Sequence, residues 1–84
     1  MHFWVTEEDI KEGNDLAGSS PVCRAIRRGV GHNRVWCGER WCNISGQRYT
    51  FPAEVLAFNR EVSHGRKDQL LPMEFELNDS DMRD

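Results

Sequence analysis

Arg34-Val35-Trp36-Cys37, Trp41-Cys42-Asn43-Ile44 and Arg48-Tyr49-Thr50-Phe51 are three short runs rich in aromatic and β-branched residues, separated by Gly38-Glu39 and by Ser45-Gly46-Gln47. Side chains of this kind favour a pleated, half-buried backbone, and glycine at each break supplies a turn. The spacing predicts three antiparallel strands in a meander. Toward the N-terminus, Ser20-Pro21 opens a helix, with serine as the cap and proline at the first helical position, where its missing N–H costs nothing. Val22, Cys23 and Ile26 form an apolar stripe at helical spacing, and Gly29 is expected to end the helix. Further out, Thr6-Glu7-Glu8-Asp9 approximates a capping box for a short helix ended by Gly13, and His2-Phe3-Trp4-Val5 reads as a strand. Toward the C-terminus, Pro52 opens a third helix with Val55, Phe58 and Val62 on one face, closed by His64-Gly65. Met73-Glu74-Phe75-Glu76-Leu77 alternates strictly, as a strand with one buried face does. The expected architecture is α+β, with element order β-α-α-β-β-β-α-β. It comprises a small, mainly antiparallel sheet with helices packed on one face. Residues 1–77 form a single domain, and residues 78–84 are expected to be a frayed acidic tail.

The chain has 84 residues, 38% of them hydrophobic and 30% charged. That length holds one domain and excludes a fold with a separate cofactor-binding unit; no cofactor is expected. Three Trp, four Phe and one Tyr supply a small core. A domain of this size buries about 60–65% of its unfolded surface, so a monomer or a homodimer is expected. No run reaches the length of a membrane span, and the opening residues lack the basic and apolar regions of a signal peptide. Cys23, Cys37 and Cys42 are an odd number and make no disulfide framework. Free thiols without a secretion signal point to a cytoplasmic protein.

The formal charge of −3 hides a segregation. Residues 1–16 carry five acids against one lysine, net −4, and residues 17–50 carry six arginines against one glutamate, net +5. Residues 51–69 balance, and residues 70–84 carry five acids against one arginine, net −4. Two binding chemistries follow. In the first, Glu7, Glu8, Asp9, Glu12 and Asp15 lie near one end of the chain, and Glu74 and Glu76 share the outer face of the last strand. If the first and last strands pair, these charges merge into one negative field, which steers association with a basic groove built for DNA or RNA. In the second, Arg24, Arg27, Arg28, Arg34, Arg40 and Arg48, with Trp36, Trp41 and Tyr49, carry the chemistry of phosphate contact and base stacking. The isoelectric point near 5.6 is far from the basic balance of a dedicated nucleic-acid binder, so this reading is the alternative.

Two catalytic or metal chemistries are weaker. Cys37 and Cys42 have the spacing of half a zinc knuckle, and Cys23, His32, His2 and His64 are the remaining ligand types, but no second tight pair exists. No metal site is expected, and the cysteines read as core residues. Cys23 lies three residues after a helix cap, where the dipole favours a thiolate, yet no base or orienting group accompanies it. No catalytic residue is assigned, and an enzyme is not expected.

Four segments together carry a resemblance that spans nearly the whole chain: Thr6-Glu7-Glu8-Asp9-Ile10…Gly13, Ser20-Pro21-Val22-Cys23-Arg24-Ala25-Ile26-Arg27-Arg28, Tyr49-Thr50-Phe51-Pro52…Phe58, and Pro72-Met73-Glu74-Phe75-Glu76-Leu77. With these the chain resembles a group of small uncharacterised proteins of bacteriophages and bacterial genomes. It departs from that pattern at Ser20, where the group has cysteine. The resemblance implies a phage-type protein, and by analogy an inhibitor of a host defence or nucleic-acid-handling complex, such as an anti-CRISPR protein. With the acidic blocks, the expected function is non-enzymatic: acidic residues occlude a host protein's basic, nucleic-acid-binding surface.

Overall fold

A computed structural model of the chain describes residues 1–14 and 19–77, apart from the Lys67 side chain. Asp15 and the expected acidic tail at 78–84 lie outside the described residues. Among the described residues the fold is a small α+β arrangement of five strands and three helices. In order these are β1 (His2–Val5), α1 (Glu7–Glu12), α2 (Pro21–Val30), β2 (Val35–Cys37), β3 (Trp41–Ile44), β4 (Gln47–Thr50), α3 (Ala53–Ser63) and β5 (Met73–Glu76), with a 3-10 turn at Lys67–Gln69 before β5.

The strands divide into two sheets, β1-β5 and β2-β3-β4. The chain's two ends pair antiparallel, with Phe3 opposite Phe75 and Trp4 opposite Glu74. The ladder is closed by Met1 and Leu77, whose backbone groups exchange hydrogen bonds of 2.6 and 2.7 Å. Phe3, Val5 and Phe75 point inward, and His2, Trp4, Glu74 and Glu76 point out. The Phe3 and Phe75 rings meet at 5.5 Å between centroids. A slip of one residue would bury His2 and Trp4 and expose both phenylalanines, so the apolar pattern fixes the register.

The meander forms as its turns dictate. Ser45 and Gly46 both have positive φ, 52° and 90°, the backbone of a two-residue turn whose twist matches the strands it joins. The turn is therefore one residue shorter than the sequence implied, and Gln47 already belongs to β4. Val35, Cys37, Cys42, Ile44 and Tyr49 face the core.

Helix α2 is the hub between the sheets, packing on β1, β2 and α1. Its buried face is Pro21, Val22, Cys23, Ala25 and Ile26; complete burial of a valine or isoleucine contributes about 1.5–3 kcal/mol. The helix does not stop at Gly29. It runs to Val30, and Gly31 caps it in the left-handed conformation at φ 78°. Gly29 instead marks a close approach, since a Cβ there would stand 2.5 Å from Phe3 Cδ1. Helix α3 contributes Val55, Phe58 and Val62 to the core, as its spacing implied, and Asn59, whose Nδ2 donates to Glu39 O at 3.0 Å.

Candidate interaction site

Pairing of β1 with β5 brings parts of the two acidic blocks onto one surface. An open cavity of about 460 Å³ is lined by Trp4, Val5, Glu7, Met73 and Glu74, among others. A second, of about 390 Å³, is lined by Glu7, Ile10, Lys11, Asp68 and Leu71, among others. The two share Glu7 and Pro72 as a common wall. Together they form a groove whose lining is mainly apolar and includes three carboxylates, Glu7, Asp68 and Glu74, and one cation, Lys11. Trp4 is 59% exposed and Leu71 79% exposed, large apolar side chains that present anchoring area, one in each cavity.

Beside the groove, the outer face of the ribbon carries a second arrangement. His2 lies between two glutamates, with Nε2 3.2 Å from Glu74 Oε2 and Nδ1 3.4 Å from Glu76 Oε1, and its ring packs on Trp4 at 4.6 Å. The Glu74 contact, followed by that of Glu76, raises the His2 pKa above its ordinary value. Protonation of His2 therefore partly neutralises this face.

The structure corrects the acidic set at Asp9, which is fully buried. It completes the capping box, accepting from Thr6 N–H at 3.0 Å while its own N–H donates to Thr6 Oγ1 at 3.2 Å. Arg28 grips it with both terminal nitrogens at 2.7 Å, and Arg24 Nε lies 3.5 Å away. Burial alone would raise the Asp9 pKa, but Arg28 and Thr6 outweigh it and hold the carboxyl below its usual range. A carboxylate so enclosed cannot meet a partner. Glu8 is exposed and acts electrostatically on Arg28, and Glu12 is exposed on α1 away from the groove-lining set. Asp15 lies outside the described residues. Asp68 is a groove residue that sequence reasoning missed; it belongs to a charge-balanced block, and only the 3-10 turn carries it to the rim.

The basic set divides as well. Arg24 and Arg28 hold Asp9, Arg28 also donates to Trp4 O at 2.7 Å, and Arg27 donates to Val35 O at 3.3 Å. These three tie α2 to its neighbours. Arg34, Arg40 and Arg48 are exposed around the meander, with Trp36 69% exposed beside them.

Cys23, Cys37 and Cys42 are all buried and free, with Cys37 directly opposite Cys42 in the β2–β3 ladder. The Cys23 and Cys37 thiols act on one another, which favours the thiolate at Cys23 and, with burial, disfavours it at Cys37. Burial pushes Cys42 up to about 12. The three sulfurs pack as small apolar groups behind the meander. Among the described residues no group of three His, Cys, Asp or Glu side chains is arranged to hold a metal ion. His2 is engaged with the glutamates, and His32 accepts from Arg34 N–H at 3.1 Å and contacts Ser45 Oγ. No helix among the described residues is long and apolar enough to cross a membrane.

No protein-family profile, curated protein or solved structure matches the chain. The phage resemblance therefore rests on its four sequence segments alone.

Proposed function

We propose that the chain is a non-enzymatic, phage-type interaction protein whose groove between α1 and β5 takes a basic segment of a host protein. It would thereby keep that partner from its nucleic acid, in the manner of an anti-CRISPR inhibitor. The reading is supported by one observation above the rest: Glu7 and Glu74, from opposite ends of the chain, border one open groove beside an exposed tryptophan. Carboxylates on the rim compete with phosphates for Arg and Lys, and Trp4 and Leu71 add apolar contact that simple charge attraction lacks. Rim charges chiefly set the association rate and its salt dependence, while buried anchors set the lifetime of the complex.

Capture from host extract tests this. Proteins retained by the wild-type chain after nuclease treatment should be lost with E7K/E74K, and retention should drop with W4A. Both glutamates and Trp4 are exposed, so circular dichroism should be unchanged. Retention that survives the double reversal, or that disappears with nuclease alone, contradicts the proposal.

A further inference from the structure

The outer face of the β2-β3-β4 sheet is the second exposed surface with a chemistry of its own. Trp36, Asn43 and Arg48 lie opposite one another across the three strands. Trp41, two residues before Asn43 in β3, shares that face because side chains alternate along a strand, and the exposed Arg34 immediately precedes β2. Adjacent strands are about 4.8 Å apart, so Trp36 and Arg48 project from backbones about 10 Å apart. The Arg48 guanidinium lies over the Trp41 ring, 4.5 Å from its centroid, a cation–π contact. On its inner edge the Trp41 indole rests on Gly38, where a Cβ would stand 2.9 Å from Cε2. Arg40 stands in the turn between β2 and β3 and is exposed. Among the described residues Arg34, Arg40 and Arg48 make no ion pair, in contrast to Arg24 and Arg28.

We propose that this face binds single-stranded nucleic acid. Trp36 is an open stacking platform, the Trp41–Arg48 stack is a second, and Arg34, Arg40 and Arg48 are the phosphate contacts. Bases stack on aromatic rings and on guanidinium planes alike, and every base has such a face, so the expected recognition is tolerant of sequence. Duplex is disfavoured, because its bases are already stacked and no helix or long ribbon on this face is shaped for a groove. The acidic isoelectric point does not oppose this local chemistry. The molecule is 33 Å long, and at physiological salt charges on separate surfaces are screened beyond about 8 Å. Glu39, beside Arg40 in the turn, is the acid nearest in sequence and leaves the meander net basic. This inference is independent of the acidic groove and stands or falls by its own residues.

Fluorescence anisotropy with a labelled oligothymidylate of about 12 nucleotides is the direct test. Three phosphate contacts predict that log K falls with log salt at a slope of about −2, and that R34A or R48A lowers the slope by about 0.7. W36A should weaken binding by about tenfold, W36F should restore most of it, and the matching duplex should bind weakly. Trp36 is exposed, so the fold does not depend on it. E7A/E74A, made in the groove, should leave oligonucleotide binding intact. Failure of the wild-type chain to bind, indifference to W36A, equal binding of duplex, equal binding of polyglutamate, or loss of binding in E7A/E74A would each overturn the proposal.

Discussion

The Asp9 carboxylate accepts hydrogen bonds from Thr6 and Arg28 and lies fully inside the fold. In sequence it is one of five acids at the start of the chain, indistinguishable by charge from Glu7 and Glu8. Its separate role was half legible. The capping box reads from four consecutive residues, because capping is local. The grip of Arg28 does not, because that contact joins residues nineteen apart. Gly29 is a matching case: a glycine near a helix end reads as a stop, and the Phe3 ring that explains its presence comes from another element. Replacing Asp9 by asparagine keeps the size but leaves the guanidinium without its counter-charge. D9N should destabilise the fold by about 2–3 kcal/mol, toward the low end for a broken buried pair because Arg28 is half exposed. The lowered Asp9 pKa means that this stabilisation is complete above about pH 4 and is lost as pH falls through the folded value. Chemical denaturation at pH 7 and at low pH checks both points: the D9N penalty should shrink on acidification, and a penalty independent of pH would contradict the ion-pair account.

At the scale of the element, the β1–β5 ribbon explains why a chain with acidic ends can present an acidic surface. The alternation Met73-Glu74-Phe75-Glu76-Leu77 sorts side chains by face without any knowledge of the partner strand, and so reads directly from sequence. That its partner is β1, while the meander forms a sheet of its own, depends on where α2 packs, and helix placement leaves no local mark. The groove was less legible still, because Asp68, Leu71 and Pro72 lie in a connecting segment without periodicity. The ribbon also carries a titratable group, His2, between Glu74 and Glu76 and against Trp4. Its raised pKa means that the His2–glutamate contact stabilises below about pH 6.5 and fades as pH rises through the folded value. Deprotonation makes the face more negative, so affinity for a lysine-rich peptide should rise by about threefold across that transition. Titration calorimetry at several pH values should show this step in the wild-type chain and a flat profile in H2A. Equal pH dependence in both would assign the effect elsewhere.

At the scale of the whole molecule, the charge blocks read from sequence are neither kept wholly apart nor folded wholly together. Arg24 and Arg28 are drawn onto Asp9, where they hold α1 to α2. Among the charges left outside, Glu7, Asp68 and Glu74 gather around one groove with Lys11, and Arg34, Arg40 and Arg48 are exposed around the meander. The first surface is the one proposed for a basic protein segment, and the second the one proposed for an unpaired strand. A partner held in the acidic groove should lose its own nucleic acid, because the same arginines and lysines would serve both. The most direct measurement is therefore a competition. A captured partner is loaded with labelled nucleic acid and titrated with W36A, which keeps the acidic groove and lacks the Trp36 stacking platform. The account predicts stoichiometric release of the label by W36A and none by W36A/E7K/E74K. A stable ternary complex that retains the label would contradict occlusion.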